Sequence, residues 1–176
     1  MEINEKNYNF NELAFTNKNS INDIIYCPFC GVSKRYLSEG DAIITVESNL
    51  LNENALRILD HAVKLELFNG DFYNTAATMS KNDEVKQIFK ALAKIEIFHS
   101  KIHQRLGGFT KSPNLNKINY DKYDNDKALL ELAKQKEEHA VFFYEKYKNE
   151  VCDNNLFEVF EALADVEKEH IILVKE

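Results

Sequence analysis

Glu96 and His99 stand three residues apart in FKALAKIEIFH (89–99), and Glu167 and His170 stand three apart in FEALADVEKEH (160–170). One shift of 71 positions superimposes the two segments, carrying Phe89, Ala91, Leu92, Ala93, Glu96 and His99 onto Phe160, Ala162, Leu163, Ala164, Glu167 and His170. The same shift carries AVKLELFNGDFY (62–73) onto AKQKEEHAVFFY (133–144), matching Ala62 with Ala133, Glu66 with Glu137, Phe72 with Phe143 and Tyr73 with Tyr144. The chain has five histidines, and two of them fall at matched positions, each three residues after a matched glutamate. A single Glu-x-x-His is usually a solvated helix face; two in register point to a duplicated unit with a shared chemical purpose.

Positions i and i+3 of a helix project from one face, so each Glu-x-x-His offers a carboxylate and an imidazole to the same point. A bundle that takes one Glu from each of two helices and a Glu-x-x-His from each of the other two builds a carboxylate-bridged di-iron or di-manganese centre. Glu66, Glu96, His99, Glu137, Glu167 and His170 supply that ligand set. Four carboxylates inside an apolar interior repel one another and resist desolvation, so two divalent cations are what would let them stay ionised. Carboxylate with imidazole suits iron or manganese, whereas structural zinc more often recruits thiolates; redox work favours iron. Tyr73 and Tyr144 lie seven residues, about two turns, after their glutamates and share their face. They read either as phenols bonded to the ligands, redox-active or not, or as buried tyrosines with ordinary partners. His103, four residues after His99, could reach the edge of the site but is expected at the surface, and His61 and His139 have no repeat partner.

These side chains need long helices to hold them. The chain has only two prolines and five glycines, most of them where helical periodicity stops. Apolar spacing predicts a first helix from about Asn49 to Thr78 and a second from about Asn82, with Asp83 and Glu84 in its first turn, to Leu106 before Gly107 and Gly108. A third is expected from about Asp126 to Val151 and a fourth from about Asn154 to Val174. The first-to-second and third-to-fourth connections are short, which makes each pair an antiparallel hairpin. Residues 107–125 are long enough, at about 3.3 Å per extended residue, to cross the full length of the bundle. The expected fold is therefore all-α, a four-helix bundle over 49–176 with one long crossover, preceded by an arm over 1–48.

At 176 residues and 44% apolar, the chain can bury a substantial core. A net charge of -7 without a basic stripe argues against nucleic acid. No apolar run approaches the roughly 18 residues of a membrane span, and the Asn-rich start does not resemble a signal peptide, so a cytoplasmic protein is expected. Three cysteines do not make a disulfide framework, and Cys27 with Cys30, in CPFCG, reads as a metal or redox pair.

The repeated segments resemble the rubrerythrin family of the ferritin-like superfamily over about 50–176: Glu66 with Phe72 and Tyr73, Glu96 with His99, Glu137 with Phe143 and Tyr144, and Glu167 with His170. The resemblance implies a di-ferrous centre that reduces hydrogen peroxide, or oxygen, to water with electrons from a rubredoxin-like domain or a separate small iron protein. Rubrerythrins proper carry a further glutamate three residues after the third-helix glutamate, where this chain has Ala140, and a rubredoxin-like domain needs two Cys-x-x-Cys knuckles where this chain has one. The single knuckle resembles half of a rubredoxin or zinc-ribbon site, with Cys152 too far along to complete it. A homodimer in which two copies each contribute Cys27 and Cys30 to one iron or zinc would supply four thiolates; a vestigial knuckle or a redox pair is the other reading. Two alternatives to the oxidoreductase stay open: a ferritin-like ferroxidase handling iron, and a bundle with a purely structural role.

Overall fold

In the computed structural model, which describes residues 2–38 and 46–175, four helices form an up-and-down pair of hairpins joined by a crossover. They are α1 (Glu53–Met79), α2 (Asp83–Leu106), α3 (Asp126–Tyr147) and α4 (Asn154–Leu173). Each helix starts on a short polar side chain that accepts from an otherwise unpaired backbone N–H: Asn52 from Ala55, Asn82 from Glu84 and Val85, Asn125 from Ala128, Asp153 from Leu156. Helix α1 packs along α2 and α3 along α4, as short connections require. Asp126 at the start of α3 accepts from the backbone N–H groups of Lys81 and Asn82 at 3.0 and 2.9 Å, locking one hairpin's turn to the other hairpin. No described helix is long and apolar enough to cross a membrane.

The sequence pattern extends the third helix to Val151; the structure ends α3 at Tyr147. The chain turns through Lys148–Glu150, Cys152 adopts a left-handed φ of 53°, and Val151 is buried in the core instead of continuing the helix. The first helix likewise begins later than the pattern suggests, after a 3-10 turn at Ser48–Leu50.

The core is two apolar layers with a polar layer between them. One holds Phe72, Phe89, Leu92, Leu129 and Tyr120. The other holds Ile58, Leu59, Leu106, Leu156, Phe160 and Leu163. The crossover is pinned to both, by Phe109 packing on the second layer and by Tyr120, whose ring lies 5.2 Å from that of Phe72, in the first. Gly70, in the middle of α1, does not end a helix. A Cβ there would meet Ile97 Cγ1 at 3.0 Å and Glu96 Cβ at 3.6 Å, so its bare backbone lets α1 approach α2 closely at the level of Glu96.

Before α1 the described chain has short 3-10 turns and isolated bridges and no strand. The arm expected over 1–48 is irregular where it is described, but it is packed: Ala14, Phe15 and Tyr26 are buried in the first core layer. Asn19 organises it, donating to the Tyr8 and Tyr26 carbonyls at 2.8 and 3.0 Å and accepting from the Ile25 and Tyr26 N–H groups. The arm lies along α4, where Thr16 donates to Glu169 at 2.9 Å and Arg35 pairs with Asp165. Residues 39–45 of the arm lie outside the described residues.

Candidate metal centre

Between the two apolar layers, Glu66, Glu96, His99, Glu137, Glu167 and His170 are all completely buried. They form two overlapping groups. Glu66, Glu96, His99 and Glu167 each offer one ligand atom within 4.8 Å of the others, and so do Glu96, Glu137, Glu167 and His170. Glu96 and Glu167 belong to both groups. Each imidazole faces its set through Nδ1. His99 Nδ1 lies 3.3 Å from Glu167, 3.9 Å from Glu66 and 4.0 Å from Glu96. His170 Nδ1 lies 2.9 Å from Glu167, 3.3 Å from Glu96 and 3.8 Å from Glu137. The helical i,i+3 geometry thus delivers each Glu-x-x-His to one point, and the repeat delivers the two points to one another.

The electrostatics fit a cation site. Burial, followed by repulsion from neighbouring carboxylates, pushes Glu66, Glu96 and Glu137 well above the usual carboxylate range. Burial acts on Glu167 in the same direction, but the His170 and His99 imidazoles outweigh it and hold this carboxyl low. His99 is raised, its carboxylate neighbours overcoming the opposing effect of burial. Glu66 Oε2, both oxygens of Glu96, His99 Nδ1, Glu137 Oε2 and Glu167 Oε1 are buried without a hydrogen-bond partner. Buried polar atoms left unpaired cost about 1–3 kcal/mol each, and these point at one another. Oxygen-rich donors with imidazole are the set that iron or manganese takes.

Glu167 Oε2 lies 2.9 Å from His170 Nδ1 on the same helix, and the remaining oxygens of Glu66 and Glu137 are held by the other hairpin. Tyr73, on α1, donates its hydroxyl to Glu137 Oε1 on α3, and Tyr144, on α3, donates to Glu66 Oε1 on α1. Each tyrosine therefore fixes the glutamate of the opposite repeat and leaves that glutamate's second oxygen for the site.

Three features lie beyond the sequence reading. His103, expected at the surface, is fully buried, with Nε2 2.7 Å from the Tyr144 hydroxyl. Because that hydroxyl donates to Glu66, His103 must donate through Nε2; burial above all, with the neighbouring His99, drops its pKa to about 3 and keeps it neutral. The shift of 71 places Val174 opposite it, so Tyr73 has no such support. His99 Nε2 donates to the carbonyl oxygen of Cys30 at 2.8 Å, which fixes the ring with Nδ1 toward the glutamates. Finally, Gly31, at a left-handed φ of 79°, presses the knuckle onto α4: a Cβ there would meet Val166 and Phe15 at 2.8 Å. His61 and His139 are exposed and line one groove with Phe142, outside the centre.

Cys27 and Cys30 are free thiols, Cys27 half-buried and Cys30 buried. The effect of each thiol on the other lowers Cys27 to about 6 and, with burial, raises Cys30 well above the usual thiol range. Among the described residues no third His, Cys, Asp or Glu joins them in a ligand group.

The asymmetry at Tyr144 has a measurable consequence. Tyr144→Phe strands both Glu66 Oε1 and His103 Nε2, whereas Tyr73→Phe strands only Glu137 Oε1. At about 1–3 kcal/mol for each buried group left unpaired, chemical unfolding of the metal-free proteins should show Tyr144→Phe the more destabilised by about 1 kcal/mol or more. Equal losses would show that His103 contributes nothing through that bond.

The family model for rubrerythrin matches residues 57–175, from within α1 through α4, a span that contains the six clustered Glu and His residues. No curated protein and no solved structure matches the chain. The buried Glu and His cluster and the family point together to iron, and with about two thirds of its length matched, the chain belongs to the rubrerythrin family.

Proposed function

We propose that this protein is a di-iron oxidoreductase that reduces hydrogen peroxide, and oxygen more slowly, to water. Glu66, Glu96, His99, Glu137, Glu167 and His170 hold the two ions. The observation that carries the proposal is the pair of overlapping ligand groups sharing Glu96 and Glu167. When bound, a ferrous pair supplies one electron from each ion, so that the O–O bond is reduced by two electrons together.

The protein's own groups set the conditions for this. Glu96 and Glu167 span the two positions, while Glu66 and Glu137 close the ends, each tethered through one oxygen to a tyrosine. The two apolar layers exclude water, which strengthens every charge interaction inside. Tyr144 holds a proton on its hydroxyl between Glu66 and His103, at the edge of a site whose reaction consumes two protons for each peroxide. Two further electrons complete the cycle, from an external donor such as a rubredoxin-like protein, and the expected assembly is a homodimer.

A ferroxidase is the second reading, favoured by Ala140: it is buried in the core at the place where rubrerythrins proper carry another glutamate. Single-turnover oxidation of the anaerobic ferrous protein separates the two. Peroxide should oxidise it at least about tenfold faster than oxygen does, a barrier difference of about 1.4 kcal/mol. Equal or faster reaction with oxygen, joined to assembly into a cage, would replace the peroxidase with the ferroxidase.

A further inference from the structure

The knuckle is not a remote appendage to the centre. Cys30 offers its carbonyl to His99 Nε2 at 2.8 Å, so the path from its sulfur to an imidazole of the site is a short run of covalent bonds and one hydrogen bond. Gly31 N–H donates to the Cys27 carbonyl at 2.9 Å and Cys27 N–H donates to that of Val32 at 2.8 Å, closing a tight turn that carries both cysteines. That turn sits on Val166, next to Glu167. A four-thiolate metal site needs two more sulfurs. Cys30 is only 8% exposed, which leaves little of it to offer a second chain. What the fold has built is an adjacent dithiol, free to oxidise.

We infer that Cys27 and Cys30 are the immediate two-electron reductant of the metal centre, cycling between dithiol and disulfide. The inference rests on the peroxide-reducing reading above. The step balances: the two S–H groups release two protons and two electrons, the Sγ–Sγ bond forms, the O–O bond of peroxide breaks, and both protons end on two molecules of water. The electrons enter through the Cys30 backbone and His99. Cys27, the more exposed of the pair, is then the sulfur that an external thiol attacks to restore the dithiol. The external donor becomes a thiol reductant and not an iron protein.

The test uses the full chain carrying Cys152→Ser, which removes the exposed third thiol. The protein is loaded with ferrous iron, its iron counted, and one equivalent of hydrogen peroxide added without oxygen. Thiol titration should show two thiols lost per peroxide, and peptide mass spectrometry a Cys27–Cys30 disulfide lighter by two hydrogens. In metal-free protein the loss should be at least about tenfold slower, since it then depends on direct attack by the thiols. Cys27→Ser with Cys30→Ser keeps the carbonyl that holds His99. It should bind iron normally and stay ferric after peroxide, where the dithiol protein returns to ferrous. Iron oxidised with both thiols intact overturns the inference and leaves the peroxide-reducing site standing. So does thiol loss equally fast without iron, or a further iron or zinc bound by these cysteines between two chains. Protein that takes up no iron, or whose ferrous form ignores peroxide, overturns the site reading and the inference with it.

Discussion

Glu167→Ala should remove both metal ions, not one. The iron content of the anaerobically purified protein should fall from about two per chain to below about 0.2, because binding at each position depends on a carboxylate that this substitution deletes. Glu167 belongs to both ligand groups and is the carboxylate nearest to both imidazoles, 3.3 Å from His99 Nδ1 and 2.9 Å from His170 Nδ1. Glu66 and Glu137 each belong to one group, so Glu66→Ala and Glu137→Ala should each keep about one ion in the half that is left whole. Glu96→Ala should behave as Glu167→Ala does. Metal analysis with circular dichroism as a check on folding decides the matter. Two ions retained by Glu167→Ala, or by a Glu66, Glu137 and Glu167 triple alanine variant, would sink the site assignment.

Metal-free protein should lose stability as pH rises from about 5 to 7, the reverse of ordinary acid denaturation. Glu66, Glu96 and Glu137 are raised by burial and mutual repulsion, so in this window the fold keeps protons that the unfolded chain gives up above about pH 4.3. The folded state binds more protons than the unfolded one, and the unfolding free energy falls by about 1.4 kcal/mol per pH unit for each proton so held. The fall stops when pH passes the raised folded value. His99, also raised, adds a loss of the same sign above about pH 6.5. Glu167, held low, contributes stability that is present above about pH 4.3 and lost only as pH falls below it. Bound iron takes the place of the protons, so the loaded protein should show a nearly flat profile and a metal affinity that rises with pH. Urea midpoints at several pH values, with chelator and with iron, measure both. A metal-free midpoint that climbs from pH 5 to 7 would show that these carboxylates are ionised in the fold.

The helices and the six clustered residues were legible because both are written in side-chain spacing. Glu96 and Glu167 sit three before His99 and His170, apolar neighbours turn Glu66 and Glu137 inward, and a bundle has one interior for all of them. His103 was misplaced because its position relative to His99 names a face of α2, while its burial depends on where Tyr144 arrives from α3, a matter of helix packing that no local pattern records. The contact between Cys30 and His99 was illegible for a different reason: a backbone carbonyl carries no residue signature. The early end of α3 at Tyr147 has no Gly or Pro to announce it, and neither has the left-handed backbone at Cys152 beyond it, a conformation that an L side chain seldom adopts.

The crossed tyrosines say something about how such a protein could arise. Each ligand group takes three residues from one hairpin and one from the other, and each tyrosine reaches over to the opposite copy. A single ancestral hairpin pairing with an identical copy across a two-fold axis would therefore have assembled the whole centre, ligands and tethers together. Joining two copies through residues 107–125 would have made that symmetry optional. Once the halves were one chain, His103 could differ from Val174, and one imidazole could acquire a carbonyl from the arm while the other did not. A homodimer ruled by symmetry would have had to accept each such change twice.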